Sequence, residues 1–211
     1  MLFNSIEFLI YLPIVFLLYW FVFNRKIKLQ NLFIVIVSYL FYGWWDWRFL
    51  ILIAFTSFCS WLSGVAIEKA REGNSLSEDT PSVRKKCRWI TGTNIFLNLA
   101  ILGFFKYFNF FVDNFVEAFS FIGIALHKST LQIILPVGIS FYTFQALSYT
   151  IDVYRRRLKP TKDIVAFFAF VSFFPQLVAG PIERATNLLV QFYKPRVFTY
   201  GEAVDGMRQI L

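Results

Sequence analysis

Long apolar runs separated by short polar and basic connections dominate this sequence. A helix that crosses a lipid bilayer needs about 20 mostly apolar residues, with a range of about 17–25. The pattern predicts an all-α, polytopic membrane bundle that forms one domain over residues 1–211. The five predicted spans are Phe3–Phe23, Leu29–Trp45, Phe49–Ile67, Trp89–Phe105 and Leu131–Tyr154.

A sixth apolar segment, Ile164–Ile182, is interrupted by Pro175, Gly180 and Pro181. The twelve residues before Pro175 would make a helix about 18 Å long, which is too short for a hydrocarbon core of about 30 Å. Non-helical backbone at membrane depth is tolerated only where protein buries it or where it lines a water-filled cavity. We therefore predict a broken or re-entrant segment, with Gln176, Gly180 and Pro181 at a cavity or inside a tight bundle. An ordinary proline-kinked span is the alternative.

Composition excludes a soluble domain. The chain is 57% hydrophobic, 21% aromatic and 16% charged, whereas soluble domains carry about 25% charged residues. The net charge of +8 does not indicate nucleic-acid binding, because the basic residues form short clusters between apolar runs rather than one continuous surface. Such clusters are typical of the loops that fix the orientation of a membrane protein.

The basic clusters predict the orientation. If the N-terminus is outside, the inner connections 24–30, 68–88 and 155–163 hold fourteen Lys and Arg residues, and the outer connections hold three. Because basic residues concentrate on the cytoplasmic side, we predict an outer N-terminus and a cytoplasmic loop over 68–88.

The charge count also requires the segment 106–130 to return to the side from which it starts. Lys106, Asn109, Asp113 and Glu117 follow one another at spacings of three and four, so they share one helix face. This favours an amphipathic helix in the outer interface. A membrane-buried helix with its polar stripe against neighbouring helices is the alternative.

The segment "LPVGISFYTFQALSYTIDVYRRR" places its polar residues on one side of a helix. Such a face must meet protein or water rather than lipid, because polar groups in a membrane are costly. It could line a cavity or serve as hydrogen-bonding contact between helices, and its acidic residue could pair with a neighbouring arginine. The residues within an arc of about 80° are Gly138, Tyr142, Gln145, Tyr149 and Asp152.

No residue of the sequence is predicted to be catalytic. His127 is the single histidine, and it lies in a loop beside Lys128 without an orienting partner nearby, so we interpret it as an interfacial surface residue. The sequence shows no Ser-His-Asp arrangement, phosphate-binding loop or metal-ligand cluster.

Two long motifs carry a family resemblance. "LPVGISFYTFQALSYTIDVYR" and "FFPQLVAGPIER" closely resemble the signature of membrane-bound O-acyltransferases, in the bacterial alginate O-acetyltransferase-like branch. "SYLFYGWWDWRFL" and "LGFFKYFNFFVDN" are also similar to that branch, so the resemblance covers essentially the whole chain.

The resemblance implies a helical bundle around a funnel. Family members move an acetyl group from a cytoplasmic donor, acetyl-CoA or another carrier, to a hydroxyl on an exported polysaccharide or peptidoglycan. No bound cofactor is implied, and an extracytoplasmic partner protein often completes the transfer. The motif positions carried over as funnel-shaping residues are Gln145, Gln176, Gly180, Pro181 and Arg184; the face of the preceding motif adds Tyr142, Tyr149 and Asp152.

The family's catalytic histidine lies on a helix beyond "FFPQLVAGPI", and this chain has no histidine after that motif. We therefore expect the chain to be the N-terminal portion of an enzyme, truncated in "AVDGMRQIL" and inactive alone, in a bacterial inner membrane. A transporter-like module or a non-catalytic scaffold is the alternative. A transporter would show corresponding broken segments in two halves, and one is visible.

Overall fold

The structure of this chain, a computed structural model, describes residues 4–44, 46–72, 79–121, 136, 138–177, 180–181 and 183–210. These residues form helices and irregular connections, with no strand among them, which confirms the all-α prediction. The helices are α1 (Ile6–Leu17, extended by a π-helical turn, Leu18–Val22), α2 (Ile27–Gly43), α3 (Arg48–Arg71), α4 (Pro81–Phe121), α5 (Ile139–Tyr154), α6 (Ile164–Val171), α7 (Phe174–Leu177), α8 (Ala185–Gln191) and α9 (Tyr200–Ile210).

Helix α5 lies at the centre of the bundle, where it packs against α3, α4, α6 and α8. The main core forms around its aromatic residues and those of α6, since Tyr142, Tyr149, Phe167 and Phe170 are completely buried. A second, smaller apolar cluster joins α1, α2 and the start of α7, and there Phe174 packs among residues such as Phe33 and Phe41. The short helices α6 and α7 are therefore enclosed by both α2 and α5.

The outer surface of the bundle is apolar. Ile6, Ile51 and Phe96 are 76%, 66% and 75% exposed, and many other large hydrophobic side chains lie on the same outer faces. A surface of this kind suits lipid rather than water. Among the described helices, α3 is the one that is both long enough, at 24 residues, and apolar enough to cross a membrane by itself. Shorter apolar helices extend over Ile6–Val22, Ile27–Gly43 and Ile164–Leu177.

The predicted cytoplasmic loop 68–88 is shorter than the sequence indicates. Helix α3 continues to Arg71 and α4 already begins at Pro81, which leaves 72–80 between them; 73–78 lie outside the described residues. Proline suits a first helical turn because its missing N–H would be unpaired there, and Arg84 N donates to the carbonyl of Thr80 at 2.9 Å. The basic residues of this region therefore lie on the last turn of α3, which holds Lys69 and Arg71, and on the first turns of α4.

The prediction of a separate interfacial helix from residue 106 is wrong for the part that the structure describes. Helix α4 is continuous over 41 residues, about 60 Å, roughly twice the thickness of the hydrocarbon core. Nothing between Trp89 and Phe121 breaks the helical hydrogen bonding, because that stretch contains no proline. Residues 122–130 lie outside the described part, as do the side chains of Asn109, Asp113 and Glu117.

Helix α5 begins at Ile139 rather than at the predicted Leu131; residues 131–135, with His127, lie outside the described part. Gly138 precedes the helix with φ +77°, a left-handed conformation that glycine adopts without steric cost. A Cβ atom on Gly138 would lie 2.9 Å from the carbonyl oxygen of Leu177. The start of α5 therefore packs directly on the end of α7.

Candidate functional site

The polar residues predicted to share one face of α5 are buried in the bundle. Tyr142 and Tyr149 are 0% exposed, Gln145 is 1% exposed and Asp152 is 5% exposed. This confirms that the face meets protein rather than lipid. The Tyr142 hydroxyl has no hydrogen-bond partner among the described residues, whereas Gln145 makes the contacts that define the site.

The apolar segment 164–182 is broken, as predicted, but the break comes before Pro175. Helix α6 ends at Val171, and the Ser172 hydroxyl donates to the carbonyl of Phe168 at 2.7 Å. A proline ring clashes with the carbonyl four residues earlier, which here belongs to Val171, and it restricts the residue before it. The helix therefore ends ahead of the proline, and Pro175 lies in the first turn of α7, where a proline is tolerated.

Side chains from other helices satisfy the backbone groups that the break leaves without helical partners. Gln145 Nε2 donates to the carbonyl of Phe170 at 2.9 Å, and the amide of Phe174 donates to Ser38 Oγ at 3.2 Å. Buried backbone polar groups need such partners, because an unpaired group at membrane depth costs several kcal/mol. The break is therefore supported by α5 on one side and α2 on the other.

Gln176 connects this support to the chain that follows α7. Its Oε1 lies 3.4 Å from Gln145 Nε2, and its own Nε2 donates to the carbonyl of Pro181 at 2.5 Å. Gly180 N also donates to the Gln176 carbonyl at 3.0 Å. A Cβ atom on Gly180 would lie 2.7 Å from Gln176 Cα, so the tight return of the chain at this point requires glycine. Gln145, Gln176, Gly180 and Pro181 thus form one continuous arrangement, which we call the amide bridge.

The bundle encloses the beginning of the broken segment more completely than its end. Gln176 is buried, Gly180 is half-buried, and Pro181 is exposed. Arg184 is also exposed, and its carbonyl accepts the amides of Asn187 and Leu188 at the start of α8. The structure therefore does not bring Arg184 into the amide bridge.

Tyr149 anchors the connection between α5 and α6. Its hydroxyl accepts the amide of Thr161 at 3.1 Å, and its ring packs on Gly64 of α3, where a Cβ atom would lie 2.4 Å from the hydroxyl oxygen. Tyr149 thus sets the distance between α3 and α5 and the place where α6 starts. Its surroundings indicate a positioning role in the bundle.

Asp152 does not pair with an arginine among the described residues. The arginines Arg71 and Arg156 instead pair with Asp79, at 3.2 Å and 2.5 Å. Arg71 also donates to the carbonyls of Val153 and Tyr154, at 2.9 Å and 2.7 Å, and so caps the C-terminal end of α5. Burial alone would raise the pKa of Asp79, but the hydrogen bonds and charges of Arg156 and Arg71 hold it below its ordinary value.

The three connections that are predicted to be cytoplasmic meet at one end of the bundle. The pairing of Asp79 with Arg156 joins 68–88 to 155–163, and Lys162 lies 3.9 Å from Glu68. Asp163 shares a pocket with residues of the connection 24–30. A common end for all three is what the predicted orientation requires, although the side of the membrane that this end faces remains a prediction.

Sequence reasoning missed a buried polar cluster between α3, α4 and α5. Asn94 Nδ2 donates to Thr150 Oγ1 at 2.9 Å and to Ser60 Oγ at 3.3 Å, and Asn98 Nδ2 donates to Asn94 Oδ1 at 3.0 Å. Two asparagines four residues apart within the predicted span Trp89–Phe105 were the available signal, because such a pair lies on one helix face. The cluster binds three helices together away from the break.

The arrangement supplies hydrogen-bonding amides and a polar interior surface. Within the described residues, no group of three or more His, Cys, Asp or Glu side chains could hold a metal ion. The amide bridge carries no group that readily gains or loses a proton at neutral pH. Its amide groups can therefore donate and accept hydrogen bonds, but they do not supply an acid or a base.

The chain is similar over its whole length to bacterial O-acetylating proteins. It is 36% identical to the probable alginate O-acetylase AlgI of Pseudomonas aeruginosa over 212 aligned positions, which cover 100% of this chain and 38% of that protein. The protein of the same name in Pseudomonas putida is 38% identical over 214 positions, covering 100% of this chain and 41% of the relative.

A relative with a different named substrate matches as well. The peptidoglycan O-acetyltransferase of Helicobacter pylori is 30% identical over 219 positions, covering 91% of this chain and 38% of that protein. The resemblance to the alginate O-acetyltransferase branch is thereby confirmed, and the chain spans about two-fifths of the length of these relatives, in their N-terminal part. No protein-family profile and no solved structure matches the chain.

Proposed function

We propose that this chain is the N-terminal part of a membrane-bound O-acetyltransferase that acetylates hydroxyls of an exported polysaccharide or of peptidoglycan. The observation that carries the proposal is the amide bridge. Inside an apolar bundle, two glutamines form hydrogen bonds with each other and with backbone carbonyls on both sides of a helix break. The chain that contains them is 36% identical to an alginate O-acetylase. Polar groups inside a membrane are candidates for a functional role, because burying them costs free energy that a purely apolar helix would not lose.

The reaction exchanges one ester-type bond for another. The sugar oxygen attacks the acetyl carbonyl of the donor, the bond from that carbonyl to the donor breaks, and the proton of the hydroxyl passes to the departing donor group. With coenzyme A as carrier, the bond that breaks is a thioester and the leaving group is a thiol. The base for this proton transfer is proposed to come from the part of the enzyme that corresponds to the remaining three-fifths of the relatives.

The chain's own contribution is to form one wall of the site. Gln145 and Gln176 keep non-helical backbone at membrane depth, where an unsupported break would be costly. Preorganised dipoles beside a reacting carbonyl stabilise developing charge without reorganisation. The hydroxyl of buried Tyr142, which has no hydrogen-bond partner in the part of the chain that the structure describes, supplies a further polar group on the same helix as Gln145.

The membrane topology follows from the same proposal. We place the basic end of the bundle in the cytoplasm, so that the N-terminus is outside and the donor, acetyl-CoA or another acyl carrier, enters from the basic end. The acceptor is then reached from the opposite side of a bacterial inner membrane, where an extracytoplasmic acetyltransferase partner would complete the transfer. Nucleic acid has no role in this scheme.

The test is a deletion of the encoding gene in its host, followed by measurement of the acetate that mild alkali releases from exported polysaccharide and, separately, from peptidoglycan. The proposal predicts loss of ester-linked acetate from one of the two fractions, and its recovery when the intact protein is expressed from a plasmid. Unchanged acetate in both fractions would contradict the proposal.

A further inference from the structure

A pocket of about 580 Å³ lies at the basic end of the bundle. The connection between α1 and α2 forms one wall, the residues that follow α8 form another, and Asp163 at the start of α6 lies between them. Four of its lining residues are basic, namely Arg25, Lys26, Lys28 and Arg196. None of them belongs to the amide bridge.

The acidic group of the pocket is already engaged. Asp163 Oδ1 accepts the amides of Val165 and Ala166 at 3.0 Å and 3.1 Å, so its carboxylate caps the N-terminus of α6. Asp163 keeps its negative charge in this role, so one carboxylate stands against four basic side chains in the pocket lining. The pocket therefore has a net positive charge.

Arg196 is held in place before any ligand arrives. Its guanidinium lies over the rings of Tyr19 and Phe192, at 5.6 Å and 5.2 Å from their centroids, and its Nη2 donates to Asn31 Oδ1. Asn31 is fixed in turn, since its Nδ2 donates to the carbonyl of Phe192 at 3.0 Å. Arg196 Nε is buried and has no hydrogen-bond partner among the described residues. That nitrogen is closed off from the pocket, but a guanidinium stays charged in proteins, so Arg196 is a preorganised cation in the pocket lining.

The N-terminus of α2 adds to the positive potential. Lys26 precedes the helix and makes no side-chain hydrogen bond to it, so the first amides of this 17-residue helix have no side-chain cap. Those amides carry the positive end of the helix dipole. The helix end, three exposed basic side chains and one fixed arginine thus line the same cavity.

We propose that this pocket binds a phosphate group. Two arginines and two lysines around an uncapped helix N-terminus match the charge and the acceptor oxygens of a phosphate. Two sources share this chemistry, a soluble phosphorylated molecule such as coenzyme A and the headgroup of an anionic lipid. Basic pockets between membrane helices also bind lipid headgroups. The inference does not depend on acetyl transfer, because phosphate binding can be measured without turnover.

The test uses the intact purified protein and its thermal unfolding with two probes. Coenzyme A is added to protein in an uncharged detergent, and phosphatidylglycerol is compared with phosphatidylcholine in reconstituted bilayers. The pocket variant is R25Q/K26Q/K28Q, whose three residues are exposed and so are replaceable without loss of packing. The matched control is R84Q/K85Q/R88Q, which removes three exposed basic charges from the first turns of α4, outside the pocket.

The proposal predicts that at least one probe raises the unfolding temperature of the unaltered protein, because a ligand that binds only the folded state stabilises it. The pocket variant should need about tenfold more of that probe for the same rise, and the control should need less than about threefold more. A rise with coenzyme A alone identifies a soluble ligand, and a rise with phosphatidylglycerol alone identifies a lipid headgroup. No rise with either probe, or an equal loss in both variants, would overturn the proposal.

Discussion

Gln145 Nε2 donates to the carbonyl of Phe170 at 2.9 Å, and this bond spans from the central helix α5 to the end of the broken helix α6. The carbonyl is one that the end of α6 leaves without a helical partner. The glutamine therefore does for the break what the next helical turn would do for an unbroken helix.

Replacing Gln145 by leucine should destabilise the intact protein by about 1–3 kcal/mol, because the Phe170 carbonyl stays buried and loses its donor. Thermal unfolding of purified protein in detergent measures the change. Gln191→Leu is the control, since Gln191 is exposed at the end of α8, and its unfolding temperature should stay close to that of the unaltered protein. Equal unfolding temperatures for Gln145→Leu and the unaltered protein would show that the bond contributes nothing.

Gly138→Ala should destabilise the protein, whereas Gly103→Ala should not. Alanine at position 138 is strained by φ +77° and places its Cβ atom 2.9 Å from the Leu177 carbonyl oxygen, so we expect a loss of about 1–2 kcal/mol or more. Gly103 lies within α4, and a Cβ atom added there would meet nothing within 4 Å, so alanine should be neutral or stabilise by up to about 1 kcal/mol. The same unfolding assay decides, and a stable Gly138→Ala protein would contradict the left-handed start of α5.

The positions of the helices could be predicted better than their lengths. Apolar runs predict where α1, α2, α3 and α5 lie, because lipid exposure selects apolar residues along each helix. The sequence prediction divided the single helix α4 at Lys106, because the count of basic residues required 106–130 to return to its starting side and its polar residues share one helix face. Backbone hydrogen bonding is indifferent to both features, and the helix continues. The late start of α5 depends on the positive φ of Gly138, which sequence alone does not specify.

Acid should weaken the attachment of α5 to α3 through Asp79. The folded-state pKa of Asp79 is lowered by Arg156 and Arg71, against the effect of burial. The stabilisation it gives is therefore complete above the unfolded-state pKa of about 3.9 and is lost as the pH falls through the lower folded-state pKa. Asp79→Asn should remove this part of the pH dependence.

The measurement is the unfolding temperature at several pH values from neutral down to about pH 3, where aspartates protonate, for the unaltered protein and for Asp79→Asn. The variant should be less stable at neutral pH, and the difference should shrink as the pH falls. A difference that stays constant over the whole range would mean that the Asp79 charge is not what stabilises this end of the bundle.

Labelling of introduced cysteines tests the orientation. In a background in which Cys59 and Cys87 are alanine, Trp47→Cys and Glu72→Cys place thiols at opposite ends of α3, at exposed positions. A membrane-impermeant maleimide added to intact cells should label the Trp47→Cys protein, and it should label the Glu72→Cys protein only after permeabilisation. The reverse pattern would contradict the orientation predicted from the basic clusters.

Part of the candidate site could be read from the sequence. The spacing of Tyr142, Gln145, Tyr149 and Asp152 predicts one buried polar face. Residues three and four apart lie on one side of a helix, and polar side chains within a membrane face the protein interior. Ser38, Asn94 and Asn98 were missed, since a serine or asparagine in an apolar run has no distinctive pattern until its partner is known. The suggested pairing of Asp152 with an arginine was wrong among the described residues, because Arg71 and Arg156 pair with Asp79. Asp79 is distant from Arg156 in sequence, so the sequence did not indicate that the two are neighbours in space.

The most direct test of the central claim is the O-acetylation supported by Gln176→Leu in the intact protein. This change removes the bonds to Gln145 and to the Pro181 carbonyl while keeping an apolar side chain of similar size. We predict unchanged membrane insertion and a fall in ester-linked acetate on the exported glycan of at least about fivefold, the factor that about 1 kcal/mol of lost transition-state stabilisation produces. Gln191→Leu should leave the acetate unchanged. Normal acetylation by an inserted Gln176→Leu protein would contradict the claim that the amide bridge shapes the transfer site.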